Sequence, residues 1–203
     1  MPEEYVEPMK ALIINGSARK NGNTAALLER VRAKFKKASI DVEWINLVDL
    51  RIEDCRGCLA CKKNDRCEID DDMQTIYEKI QEADFIVLGS PVYMGAETGR
   101  AKSFVDRLYA FLRFAEKKGV FESNLKKGKK AIVVFSCGLK DGDIVYNHLN
   151  VRYFNTFVRL LGCDDMRSFI IPSFYLVEKN KGSHDSHPLK QFLDETSRFI
   201  GVS

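Results

Sequence analysis

Four cysteines, Cys55, Cys58, Cys61 and Cys67, stand in the spacing C-x2-C-x2-C-x5-C. Two-residue gaps let successive thiolates converge on one centre, and a fourth arriving from slightly further along completes the donor set that a cuboidal cluster needs. The last gap is longer than in the bacterial ferredoxin run, and Glu68 rather than proline follows Cys67. Arg56, Lys62, Lys63 and Arg66 surround the thiolates and would offset the negative charge of a cluster. On spacing alone three readings stay open: an iron-sulfur cluster, no metal, and a structural zinc, although zinc sites more often use two separated cysteine pairs.

A second constellation runs Gly16-Ser17-Ala18-Arg19-Lys20-Asn21-Gly22-Asn23-Thr24, between an apolar run and a helical pattern. Free backbone amides and the positive end of a helix dipole favour an anion at such a junction. Ser17 and Thr24 add hydroxyl donors and Arg19 adds charge, while Asn21, Gly22 and Asn23 tolerate the left-handed backbone that an anion nest needs. No Gly-Lys-Ser/Thr closes the loop, and Gly16 and Gly22 lack the G-x-G-x-x-G spacing, so neither a nucleotide P-loop nor a dinucleotide fingerprint is present. A phosphomonoester such as that of FMN suits it better; the plainer alternative is a polar turn with a helix cap. A third candidate is Pro91-Val92-Tyr93-Met94-Gly95. Backbone amides there can reach the edge of a flavin ring, and Tyr93 and Met94 offer it apolar surface, unless they simply pack on a neighbouring helix.

These residues need elements to hold them. Lys10 to Asn15, Phe85 to Gly89 and Ala131 to Phe135 are short apolar runs that read as buried strands; Asp41 to Leu47 and Met166 to Ile171 add two more. Helical spacing marks Leu27, Leu28, Val31 and Phe35; then Met73, Ile76, Tyr77 and Ile80 behind an acidic first turn of Asp70, Asp71 and Asp72; then Phe104, Val105, Leu108, Phe111 and Leu112. A helix over about Asp143 to Leu161 and a last one carrying Leu189, Phe192, Leu193, Phe199 and Ile200 complete the pattern. Alternating strands and helices imply an α/β doubly wound parallel sheet of five strands, order 2-1-3-4-5, in a single domain spanning 1–203. The cysteine loop interrupts it at about 51–70. Such sheets bind ligands at the carboxyl ends of their strands, where the winding reverses. That rule selects Gly16–Thr24, Ser90–Thr98 and the loop from Ser136 to Asp143.

The phosphate loop and Gly89-Ser90-Pro91-Val92-Tyr93 together resemble the NADPH-dependent FMN reductase family, of flavodoxin-like fold, over about residues 10 to 115. By that resemblance the first loop holds the FMN phosphate, Pro91 to Gly95 holds the isoalloxazine, and Ser136, Cys137 and Gly138 complete the pocket. The cysteine run is similar to that of the iron-sulfur flavoprotein family. The similarity implies a [4Fe-4S] cluster on Cys55, Cys58, Cys61 and Cys67, with Asp71-Asp72-Met73 also fitting the pattern. It further implies an FMN-dependent oxidoreductase in which the cluster passes electrons between ferredoxin and FMN, in a homo-oligomer, dimer or tetramer, whose subunits bring cluster and flavin together. The cluster-free alternative is an NAD(P)H-dependent FMN or quinone reductase, with hydride delivered to the flavin; a further one is a binding module without flavin.

Bulk properties agree with these readings. The sequence has 203 residues, 45% of them hydrophobic and 30% charged, enough for one core. Its net charge of +3 gives no general reason to expect nucleic acid. No apolar run approaches the roughly 20 residues of a membrane span. Met1 to Pro8 is an acidic, polar arm unlike a signal peptide, which points to the cytoplasm and to reduced cysteines. Cys163 reads as a small buried residue and Trp44, on the second strand, as core. His184 and His187 read as a solvated loop, His148 as a helix-surface or interface residue, and the basic segment Lys117, Lys118, Lys126, Lys127, Lys129 and Lys130 as a solvated face, with docking of an acidic ferredoxin as the weaker alternative.

Overall fold

The computed structural model describes residues 8–115, 119–172 and 187–201. The arm before Pro8, Lys117, Lys118 and His184 lie outside the described residues. Three apolar runs form the centre of a parallel sheet: β1 (Lys10–Asn15), β3 (Phe85–Pro91) and β6 (Lys130–Cys137). They are flanked by β2 (Asp41–Asn46) and β7 (Asp165–Pro172), and the order is β2-β1-β3-β6-β7, all parallel. This is the expected 2-1-3-4-5 winding of a flavodoxin-like sheet. The last two numbers change only because an antiparallel hairpin, β4 (Leu112–Ala115) and β5 (Val120–Ser123), precedes them in the chain.

All seven residues of β3 are buried, as continuous apolar strands covered on both faces must be. Side chains of successive residues alternate between the two faces. Ala11, Ile13, Phe85, Val87, Ile132 and Val134 pack under α1 (Asn23–Lys37) and the C-terminal helix, here α7 (His187–Ile200). Leu12, Ile14, Ile86, Leu88, Val133 and Phe135 pack under α3 (Met73–Glu82) and α4 (Gly99–Arg107). Each such aliphatic side chain contributes about 1.5–3 kcal/mol when withdrawn from water.

Two helices differ from expectation. The apolar spacing from Phe104 to Leu112 is continuous, yet α4 ends at Arg107, and a tight turn over Leu108–Phe111 leads into β4. Leu108, Phe111 and Leu112 are still buried, so the pattern marked core residues correctly and their backbone incorrectly. The long helix expected to Leu161 is instead α5 (Gly142–Val145), α6 (Asn147–Phe154) and a wider π turn over Asn155–Leu160. A short α2 (Ala60–Lys63) lies inside the cysteine loop. Trp44 is only half-buried, because β2 is an edge strand. Among the described residues no helix is long and apolar enough to cross a membrane.

Candidate functional site

The loops after β1, β3 and β6 meet at the carboxyl ends of their strands and are cross-linked in pairs. Thr98 Oγ1 donates to the Gly16 carbonyl at 2.7 Å, joining the first loop to the second. The Val92 amide donates to the Ser136 carbonyl at 2.8 Å, joining the second to the third. Thr24 and Ser136 share a buried hydroxyl–hydroxyl bond at 2.8 Å, joining the third to the first. Gly16 must be glycine: a Cβ there would lie 2.9 Å from Ala101 Cβ and 3.0 Å from the Gly89 carbonyl.

In the first loop the buried Ser17 receives the Arg19 amide on its Oγ at 3.1 Å and keeps its own proton available. Ser17 N donates to Asn15 Oδ1 at 3.1 Å, Asn15 Nδ2 donates to Asn46 Oδ1 at 3.1 Å, and the Trp44 indole donates to the same oxygen at 2.9 Å. An edge-strand network therefore fixes the start of the loop. Arg19 and Asn21 are exposed, Asn23 opens α1, and Gly22 at its N-cap has no side chain to accept from the first turn. Hydroxyls, helix-terminal amides and one guanidinium are the donor set that a phosphomonoester takes, and the arrangement fits the phosphate of FMN.

The second loop folds into a two-residue turn. Met94 and Gly95 have φ of 50° and 80°, and Tyr93 and Ala96 exchange backbone bonds at 2.8 and 3.1 Å. Two successive positive φ values define a type I′ turn, in which glycine is unstrained and methionine is not. Pro91 is buried and Val92 partly so, while Tyr93 is half-exposed and Met94 wholly exposed. Neither tip side chain is absorbed by packing, which leaves both open to a ring. Helix α6 holds the turn from behind: His148 Nε2 bonds the Gly95 carbonyl at 2.9 Å, and Arg152 Nη2 donates to the buried carboxylate of Glu97. Ser136 and Cys137, expected to open the third loop, are instead the buried last residues of β6, and exposed Gly138 starts the loop. Burial pushes the Cys137 thiol up, against the Leu139 carbonyl that it faces at 3.6 Å, so it is protonated at neutral pH.

All four cysteines of the Cys55–Cys67 loop are free thiols. Cys55 and Cys58 are exposed, Cys61 is intermediate and Cys67 is buried. Gly57, Leu59 and Asp65 have φ of 63°, 60° and 58°, a backbone that is costly for Leu59 and tolerated by glycine and aspartate. Chemically the donors fit a cluster, being four thiols within one loop beside several cations. Spatially, among the described residues no three metal-ligating groups are gathered about one point. Both stems of the loop are nonetheless fixed. Arg107, wholly buried, forms a bidentate pair with Asp71 at 2.6 and 3.0 Å and donates to the Glu53 carbonyl at 2.9 Å. Asp71 also accepts from the amides of Glu53 and Met73 at 2.8 and 3.1 Å.

The family model described as NADPH-dependent FMN reductase matches residues 9–160. The chain belongs to this family. Among its relatives, an iron-sulfur flavoprotein of Archaeoglobus fulgidus is 48% identical over 99 residues, 49% of this chain and 48% of that protein. One of Methanocaldococcus jannaschii is 40% identical over 99 residues, 49% of this chain and 51% of that protein. The chain thus spans about half the length of the curated relatives it matches. Among solved structures, the NAD(P)H:quinone oxidoreductase of Methanothermobacter marburgensis superposes with a TM-score of 0.68 at 16% identity, covering 95% of this chain and 98% of that one, which is a likeness of fold.

Several residues of this FMN reductase family member that organise the site carried no sequence signal. Asn15, Asn46, Glu97, Thr98 and Arg107 act through contacts between 31 and 82 positions apart in the chain, Asp71–Arg107 among them at 36. Asp71, the partner of Arg107, did carry a signal, as an acid directly before a helical apolar stripe and part of Asp71-Asp72-Met73.

Proposed function

We propose that the chain is an iron-sulfur flavoprotein, carrying FMN on its three switch-point loops and a [4Fe-4S] cluster on Cys55, Cys58, Cys61 and Cys67. The observation that carries this reading is a loop of four free thiols whose stems are pinned to α4, the helix that starts at the flavin turn. FMN would supply exchange between two-electron and one-electron chemistry, and the cluster would supply single-electron transfer. The chain's own residues then have distinct tasks. Ser17, Arg19, Asn21, Gly22, Asn23 and Thr24 receive the phosphate; Pro91 to Gly95 offer backbone donors and the Tyr93 and Met94 side chains to the ring; Ser136, Cys137 and Gly138 close the third side. Arg56, Lys62, Lys63 and Arg66 offset the charge of the thiolates, and the exposed Arg56, Lys63 and Arg66 present positive charge to an acidic one-electron donor such as ferredoxin. The acceptor is a two-electron one. A homo-oligomer, dimer or tetramer, in the cytoplasm belongs to the same proposal, since a neighbouring subunit would bring a second flavin to the loop.

Iron, acid-labile sulfide and flavin measured on one anaerobic sample test the reading. The expected result is four irons and four sulfides per flavin. Flavin without iron or sulfide, even after reconstitution, refutes the cluster. Sedimentation showing only monomer refutes the oligomer.

The lack, among the described residues, of three metal-ligating groups gathered about one point favours a second reading, a cluster-free NAD(P)H-dependent FMN or quinone reductase. It predicts rapid flavin reduction by NADPH in metal-free protein. Slow reduction by NADPH with fast reduction by ferredoxin would exclude it.

A further inference from the structure

Arg100, Ser103 and Arg107 fall at i, i+3 and i+7 on α4, so they share one face. All three reach the strand of chain that enters the cysteine loop. Arg100 Nη1 donates to the carbonyls of Leu47 and Leu50 at 3.4 and 3.1 Å. Ser103 Oγ donates to Asp54 Oδ1 at 2.5 Å. Arg107 takes the Glu53 carbonyl on the way in and Asp71 on the way out, and both Arg107 and Asp71 have side chains essentially sealed from water. Beyond the helix the same element continues to serve the loop. Tyr77 OH donates to the Arg107 carbonyl at 3.0 Å, Lys62 Nζ donates to the Leu112 carbonyl at 2.7 Å, and Arg113 Nη2 donates to the Asp65 carbonyl at 2.7 Å. Cys67 packs with Ile69 and with Ala110, which lies in the turn after α4. At its other end α4 is capped by Thr98, whose hydroxyl accepts from Ala101 N at 3.2 Å while donating to the Gly16 carbonyl. The helix therefore begins on the flavin loops and ends, about 13 Å later at 1.5 Å per residue, on the stems of the cysteine loop.

We propose that Arg107 is the positioning residue of the cysteine loop: it closes both stems on α4 in the metal-free chain, and so presents Cys55 to Cys67 in a fixed relation to the flavin turn. The fork geometry is the reason for arginine. One planar group reaches a carboxylate with two parallel bonds and a carbonyl with a third, which a lysine cannot do. Removing the fork leaves Asp71 buried with only the Glu53 and Met73 amides, and the stems separate. The consequence for metal rests on the cluster reading above; the closure of the stems does not.

The test uses the full chain without metal. Thiol alkylation by iodoacetamide, resolved by mass spectrometry, reads each cysteine separately, and buried Cys137 and Cys163 report on the rest of the fold. In the wild type, Cys55 and Cys58 should react fast and Cys67, Cys137 and Cys163 slowly. Arg107→Lys should speed Cys67 on the order of ten-fold and leave Cys137 and Cys163 slow, with FMN affinity unchanged; a ten-fold change corresponds to about 1.4 kcal/mol of local opening. An unchanged Cys67 rate overturns the proposal, and so does an equal rise at all three cysteines, which would make Arg107 a support of the whole fold. Hydrogen exchange in the wild type needs no variant: the Glu53 and Met73 amides should be protected without metal, and fast exchange there also overturns the proposal. Reconstitution with ferrous ion and sulfide adds a separate arm. Should the wild type take up no iron while Cys67 behaves as stated, the cluster reading fails and the positioning role stands.

Discussion

The edge-strand network behind the phosphate loop makes a prediction whose size follows from its geometry. Asn15 is fully buried and its amide works in both directions, accepting from Ser17 N and donating to Asn46 Oδ1, each at 3.1 Å. In Asn15→Ala the Ser17 N–H is left buried and unpaired, a cost of about 1–3 kcal/mol, and the Asn46 bond is lost for about 1 kcal/mol more. Asn46 itself is not orphaned, since the Trp44 indole still donates to it at 2.9 Å. Urea unfolding should therefore show a loss of about 2–4 kcal/mol at unchanged slope. The binding consequence is separate: with Ser17 N unanchored, the loop must order on binding, and FMN affinity of the apo protein should fall on the order of ten-fold, about 1.4 kcal/mol. Asn15→Asp separates the two effects. It can still accept from Ser17 N but sets a carboxylate against Asn46 Oδ1 and adds negative charge next to the phosphate loop, so its FMN affinity should fall further than that of the alanine variant. Quenching of flavin fluorescence measures both affinities. A variant that loses stability yet binds FMN like the wild type would refute the assignment of this network to phosphate binding.

Three other outcomes follow from particular contacts. Gly89→Ala would place a Cβ at 2.7, 2.8 and 2.9 Å from three atoms of fully buried Leu28, so stability measured by urea should drop by about 1–3 kcal/mol, and Leu28→Ala in the same chain should recover part of it; a neutral single variant would contradict the packing. Trp44 is the sole tryptophan and lies on the strand beside the phosphate loop, so titrating FMN into apo protein should quench tryptophan emission, and unchanged emission with flavin bound would place the flavin elsewhere. Burial works to raise the Asp71 carboxyl, but the Arg107 fork and the Glu53 and Met73 amides outweigh it and hold the group below the usual carboxylate range. Its contribution is thus complete above the unfolded value of about 3.9 and is lost as pH falls through the lower folded value. Asp71→Asn should flatten the acid limb of urea stability between about pH 5 and pH 2, and an unchanged limb would show that Asp71 is not the group responsible.

What the sequence made legible is what depends on neighbours in the chain. Buried strands announce themselves as apolar runs because a parallel sheet is covered on both faces, and the winding follows from their alternation with helices. Candidate loops can be singled out for the same reason: Gly16 to Thr24, Pro91 to Gly95 and Cys55 to Cys67 each carry their donors within one short stretch. The breaks at Arg107 and around Tyr146 were not legible, because apolar spacing at i, i+3 and i+4 is shared by a helix and by a tight turn that buries the same side chains. The hairpin β4–β5 was hidden by a lysine-rich connection that reads as solvated loop.

Least visible were the residues that join one loop to another. Arg107 lies on an amphipathic helix among positions that should be apolar, and a buried arginine is indistinguishable in sequence from an exposed one until its partner arrives from 36 positions away. The same holds for Asn15, the polar end of an apolar run, and for Glu97, which reads as a turn residue and instead pairs with Arg152 on α6. Each is a polar group whose burial would cost several kcal/mol if unpaired. Such groups are tolerated inside only when the fold supplies the partner, so they mark where the chain's separate loops are made into one site. Here those marks concentrate along α4 and its two ends, Thr98 and Arg107. The turn at Pro91 to Gly95 and the stems of the cysteine loop, distant in sequence, are thereby both tied to one helix by contacts the chain makes on its own.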